Sequence, residues 1–103
     1  MTVDRNGISS GVVNVTIDLA SVAANTSAEQ TFTVNGLSTD MMVFVNKSDL
    51  DAGIGIVNAR VSAADTLALT IMNSTGSAVD AASETYKLFW IKPDYTSEGA
   101  AQL

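Results

Sequence analysis

Asp49 and Asp51, followed by Gly53, match the opening of a calcium loop, in which alternate carboxylates and a turn glycine wrap oxygen ligands around the ion. The later ligands are missing. Ile54, Val57 and Arg60 stand where further oxygens and a bidentate glutamate would fall, so Asn46 to Gly55 reads as a solvated loop. The eleven Asp and Glu residues show no spacing that selects an acid/base pair for glycoside hydrolysis, and they read as a solubilising surface. The chain has no histidine and no cysteine. That removes the commonest general base, the commonest metal ligand, the thiol nucleophile and the disulfide together. The expectation is a protein with no enzymatic activity, no cofactor and no metal. Asn14, Asn25, Asn46 and Asn73 each open an Asn-x-Ser/Thr triplet, which chance explains in a chain this rich in those residues.

The remaining chemistry is contact chemistry. The aromatic residues are Phe32, Phe44, Tyr86, Phe89, Trp90 and Tyr95, most of them inside apolar runs that suit a core. Tyr95, just beyond Pro93, and whichever of Phe89 and Trp90 points outward are left to make a contact surface, where aromatic side chains are enriched. Met41 and Met42 open an apolar run and join that set. The expected subunit or shell interface is therefore Met41, Met42, Phe89, Trp90 and Tyr95.

These residues must be positioned by strands. Val57-Asn58-Ala59-Arg60-Val61-Ser62 and Leu67-Ala68-Leu69-Thr70-Ile71-Met72 both alternate with a period of two, the mark of a strand with one buried face. Pairing Val61 with Leu67, Ala59 with Leu69 and Val57 with Ile71 puts every apolar side chain on one face. This register requires an odd-numbered connection, Ala63-Ala64-Asp65, with Asp65 suited to the turn. Val13, Val15, Ile17 and Leu19 give a first strand, and Phe32 and Val34 a second one closed by Asn35-Gly36. Val22 tucks inward and Leu37 plugs one end of the core. Met41 to Val45 is apolar throughout and predicts a central strand covered on both faces. The stretch from Asn73 to Glu84 is too long for a tight hairpin and predicts a crossing between two sheets. Tyr86 to Ile91 forms the last strand, with Tyr86, Leu88 and Trp90 on one face and Lys87, Phe89 and Ile91 on the other, and Pro93 stops it.

The expected fold is thus all-β: an antiparallel β-sandwich of about six to eight strands with short flexible terminal arms. Residues 1–11 read as an N-terminal arm, 12–93 as the sandwich domain and 94–103 as a C-terminal tail. A single helical turn in Leu50 to Val57 or Ala78 to Ser83 is the alternative for those two stretches. At 103 residues one domain is expected, and packing or oligomerisation must supply its stability. The net charge is −6, with five basic residues scattered singly, which argues against nucleic-acid binding. No apolar segment has the length of a membrane span or a signal peptide, so no membrane partner is expected, and the chain is expected to be made and kept in the cytosol unless it leaves on a larger particle. Hydrophobic residues at 47% against 16% charged imply surface that is covered by partners.

The segment Asp18-Leu19-Ala20-Ser21-Val22-Ala23-Ala24-Asn25-Thr26-Ser27, followed by Thr31-Phe32-Thr33-Val34-Asn35-Gly36-Leu37, resembles small virion structural proteins of tailed bacteriophages. So does Ala59 to Leu67 leading into Met72-Asn73-Ser74-Thr75-Gly76-Ser77, and the likeness covers about residues 18 to 92. What the resemblance implies is a non-enzymatic β-domain, often trimeric, made in the host cytoplasm and carried on the virion. It would act as a capsid decoration, or cement, protein bound to the major capsid protein on the outer shell. The short arms favour that position over a tail fibre or tail-tip domain for host attachment. A carbohydrate-binding module is the third class. The resemblance carries over no functional residue.

Overall fold

The computed structural model describes residues 8–93 of the chain. Six strands follow one another: β1 (Ile8–Ile17), β2 (Thr26–Thr33), β3 (Met42–Lys47), β4 (Ile54–Ala63), β5 (Thr66–Asn73) and β6 (Glu84–Pro93). They form two three-stranded antiparallel sheets packed face to face, ordered β1-β6-β3 and β2-β5-β4. Only β4 and β5 are consecutive strands that pair with each other. Every other connection crosses from one sheet to the other, including the stretch between β5 and β6.

The core lies between the sheets. Leu67, Leu69 and Ile71 of β5 face Ile17 of β1, Val43 of β3 and Tyr86 and Leu88 of β6, with Leu19, Val22, Leu37 and Ala81 closing its ends. Val22 and Leu37 are buried as their positions in the sequence suggest. Among the described residues, the one buried polar side chain is Asn73. Its amide donates to the carbonyls of Val22 and Ser77, and its oxygen accepts from the Thr75 N–H and hydroxyl, so no polar atom is stranded in the core.

The β4–β5 hairpin has the expected register at its turn: Val61 opposes Leu67 and Ala59 opposes Leu69. The connection is tighter than three residues. Ala63 pairs with Thr66, so the turn is Ala64-Asp65, and an irregularity between Val61 and Ala63 absorbs the odd residue. Asp65 takes a positive φ of 58°. Its N–H donates to the Leu37 carbonyl, and its carbonyl and carboxylate accept from the N–H groups of Val34 and Gly36. The turn thereby locks onto the loop after β2.

Further along, a second irregularity changes the expected pairing. Ile56, not Val57, opposes Ile71, and Asn58 opposes Thr70. Ile54-Gly55-Ile56 and Val57-Asn58-Ala59-Arg60-Val61 are two alternating patterns out of phase by one residue. The bulge lets Ile54, Ile56, Ala59 and Val61 all pack against the core, and it pushes Val57 into solvent.

Two other boundaries differ from the sequence expectation. β1 begins at Ile8, so residues 8–11 belong to the sandwich and not to an arm. Gly11 and Ser9 interrupt the apolar alternation there, yet the ladder to β6 is unbroken from Ile8 opposite Pro93 to Ile17 opposite Glu84. β2 starts at Thr26, earlier than its apolar period, because it is a polar edge strand. Gln30 of β2 extends it sideways, its side-chain amide exchanging bonds with the N–H and carbonyl of Ala20. Neither Leu50 to Val57 nor Ala78 to Ser83 is helical.

Candidate functional site

Met42–Lys47 is an edge strand, not the central strand that its apolar run predicts. β6 takes the centre of that sheet. The expectation that both faces of β3 are covered therefore fails within one chain: Val43 is 6% exposed, but Met42 and Phe44 on the other face are 57% and 54% exposed. Strand register extends the wet face across the sheet. Val12 of β1 and Phe44 of β3 both oppose Phe89 of β6, and Met42 opposes Ile91. Phe44 and Phe89 stack with ring centroids 6.0 Å apart. Ile8, Val12, Met42, Phe44, Phe89 and Ile91 thus form one apolar area on the outer side of β1-β6-β3. Beside it the next row, Asn14, Lys87 and Asn46, is polar.

The residues expected at an interface are divided by this geometry. Met42 and Phe89 lie on the outer face. Met41 and Trp90 are partly buried and pack against the core. Trp90 lies over Gly11, its partner across the ladder: a Cβ at Gly11 would sit 2.8 Å from the indole ring. Tyr95 lies outside the described residues. Sequence reasoning missed Val12 and Phe44 as exposed apolar residues. Val12 was available from the alternation, since Val13 belongs to the inward set and its neighbour must point out. Phe44 was hidden by the unbroken apolar run, which carries no phase.

A second feature adjoins this face. The loop after β3 is tied down by Lys47, whose side chain is only 10% exposed and whose ammonium binds the Asp51 carboxylate at 2.5 Å, the Glu84 carboxylate at 2.7 Å and the Asp49 carbonyl at 2.6 Å. Glu84 also accepts the Asp49 N–H, and the Ser48 hydroxyl donates to the Thr85 carbonyl. Burial works against the Lys47 charge, but the bonds to Asp51 and Glu84 outweigh it and hold its pKa above the ordinary lysine value. The Lys47 hydrogen bond holds the Glu84 pKa below the ordinary glutamate value, against partial burial and helped by the Asp49 N–H. Asp51 is thus engaged by an internal lysine, and Gly53, at φ 80° and crowded against Thr75, serves the turn. The loop is built as a structural clamp. At its tip Leu50 is 90% exposed.

Among the described residues, no cluster of three or more His, Cys, Asp or Glu side chains is placed to hold a metal ion. The groove between the β3 and β4 edges is lined by Met41 to Val45 and Ile56 to Arg60, and its one charged group, Arg60, is spent on Glu29. What the surface offers is apolar contact.

No family model, no curated protein and no solved structure matches this chain.

Proposed function

We propose that this chain is a non-enzymatic structural protein of a bacteriophage particle: a capsid decoration protein that self-associates, as a trimer, and reinforces the shell by binding its outer surface. The observation that carries the proposal is the apolar outer face of β1-β6-β3. Soluble monomers rarely leave a contiguous apolar patch of this kind wet, whereas copies of the chain packed on one another would bury it. At about 25 cal/mol per Å2, covering several hundred Å2 of apolar surface per subunit gives several kcal/mol before the costs of association. The resemblance of residues 18 to 92 to small phage virion proteins supplies the setting. A trimer suits the local threefold positions of an icosahedral shell, where one clip touches several capsomers of the major capsid protein.

The test has two arms. Light scattering measures the mass of the purified chain, and particles with and without it are compared under heat or osmotic shock. The expected result is a trimer that raises particle survival and is present in hundreds of copies per particle. A few tens of copies would move the chain to the tail as a fibre or tail-tip domain. A monomer at micromolar concentration with no effect on survival would refute the proposal.

A further inference from the structure

We infer that the contact between copies is a knob-in-hole joint, in which Leu50 of one copy enters the depression over Val12, Phe44 and Phe89 of the next. The inference rests on the self-association proposed above and names its contact. Three observations carry it.

The first is distribution. Of the eight large hydrophobic residues that the described surface exposes, only Val57 and Met72 belong to the β2-β5-β4 sheet. Ile8, Val12, Met42, Phe44 and Phe89 share the outer face of the other sheet, and Leu50 and Val57 lie beside β3 on the loop that follows it and on β4. The exposed apolar surface is thus gathered around one strand.

The second is construction. A leucine at the tip of a slack loop would carry an ordering cost on binding, but the residues on either side of Leu50 are already fixed. Asp49 is held through its N–H by Glu84 and through its carbonyl by Lys47, and Asp51 is held by Lys47 and by the Ile54 N–H. Leu50 is therefore presented by a preorganised support, which lowers the entropy lost on docking.

The third is complementarity. The depression on the outer face is lined by Val12, Phe44, Val45, Asn46, Lys87 and Phe89. Its rim carries the Lys87 ammonium and the knob's flank carries the Asp49 carboxylate. Neither charged group has a hydrogen bond or ion pair among the described residues. An apolar knob with a free anion beside it matches an apolar hole with a free cation on its rim. Area points the same way. Strands of 10, 10 and 6 residues spaced about 4.8 Å apart present roughly 400 Å2, so two flat faces stacked together bury about 800 Å2, short of the ~1,200–2,000 Å2 of a stable interface. A knob seated from the flanking loop adds area that a flat stack lacks. Because knob and hole are different patches of one chain, the joint is heterologous, and repeated with a closing rotation it makes a ring.

The experiment is sedimentation velocity of the full chain over a concentration series, with circular dichroism melts to verify folding. Leu50→Ala, Asp49→Lys and Lys87→Glu each alter an exposed side chain and should melt close to wild type. Each is expected to weaken association by about tenfold or more, and the double variant Asp49→Lys/Lys87→Glu to recover most of the loss. A self-associating wild type whose mass is indifferent to all three changes would overturn this joint while leaving the proposed function standing. So would a double variant no better than its singles. A wild type that stays monomeric removes the proposed function and the joint together.

Discussion

β5 and β6 occupy the same place in their two sheets, each central between two antiparallel neighbours, but they are covered differently. On β5 the inward residues Leu67, Leu69 and Ile71 are fully buried, and so is Ala68 on the outer face. Ala68 stands between Thr31 of β2 and Arg60 of β4, and the Arg60 guanidinium reaches across the strand to grip the Glu29 carboxylate with two bonds of 2.8 Å. A small residue under a polar strap needs no partner. On β6 the inward Tyr86 and Leu88 are equally buried, while Phe89 on the outer face is 39% exposed and flanked by Val12 and Phe44, both more exposed still. No charged pair roofs that row. One sheet is finished by its own side chains, and the other leaves an apolar row exposed.

The sharpest way to break this comparison is to put a charge on each outer face in turn. Phe44→Lys or Phe89→Lys should weaken self-association by about a hundredfold or more, as expected for removing an interface anchor, whereas Thr31→Lys on the opposite face should leave the sedimentation profile unchanged. Next in size is the contrast within β6. Leu88→Ala should cost about 3–5 kcal/mol in urea unfolding, because it empties a fully buried site, while Phe89→Ala, measured at concentrations where the chain is monomeric, should cost less than about 1 kcal/mol. Gly11→Ala is expected to cost about 1–3 kcal/mol by pushing Trp90 off its seat on the β1–β6 ladder.

A smaller effect concerns pH. The Glu84 pKa is lowered in the folded state, chiefly by the Lys47 hydrogen bond, so its contribution to stability is complete above the ordinary glutamate range and is lost as pH falls through the lowered folded value. The melting temperature should therefore decline on acidification below the ordinary glutamate range, and Glu84→Gln should flatten that decline. The smallest shift is expected for Arg60→Ala. Its pair with Glu29 is exposed to solvent, so the change in melting temperature should be slight and matched by raising the salt concentration.

How legible these features were depends on whether a segment carries a phase. Val13 to Ile17 alternates without interruption, Leu67 to Ile71 and Tyr86 to Trp90 keep the same period, and their inward sets are those found in the core. The two-sheet architecture and the crossing before β6 followed from them. Met41 to Val45 has no alternation, so its period could not tell an edge strand with a wet apolar face from a central strand. The bulge at Val57 was equally hidden, since two overlapping apolar patterns can be joined only by an irregularity that no local propensity announces. Of the exposed apolar face, Met42 and Phe89 were visible in the sequence. Leu50 was not, because a lone leucine between two aspartates looks like any loop residue until Lys47 and Glu84, distant in sequence, are seen to brace it.

The order of strands has a consequence for how the protein is made. β1 and β3 have one hydrogen-bonded neighbour each, and for both it is β6, the last strand of the six. During synthesis β2, β4 and β5 can pair as soon as Asn73 has emerged, seeded by the local β4–β5 hairpin. β1 and β3 must wait, unpaired and apolar, for some twenty residues more before Glu84 to Pro93 can zip between them. A ribosome stalled in that interval would display a finished half-sandwich and two sticky single strands, and a chaperone that holds extended apolar segments would find its binding sites in β1 and β3.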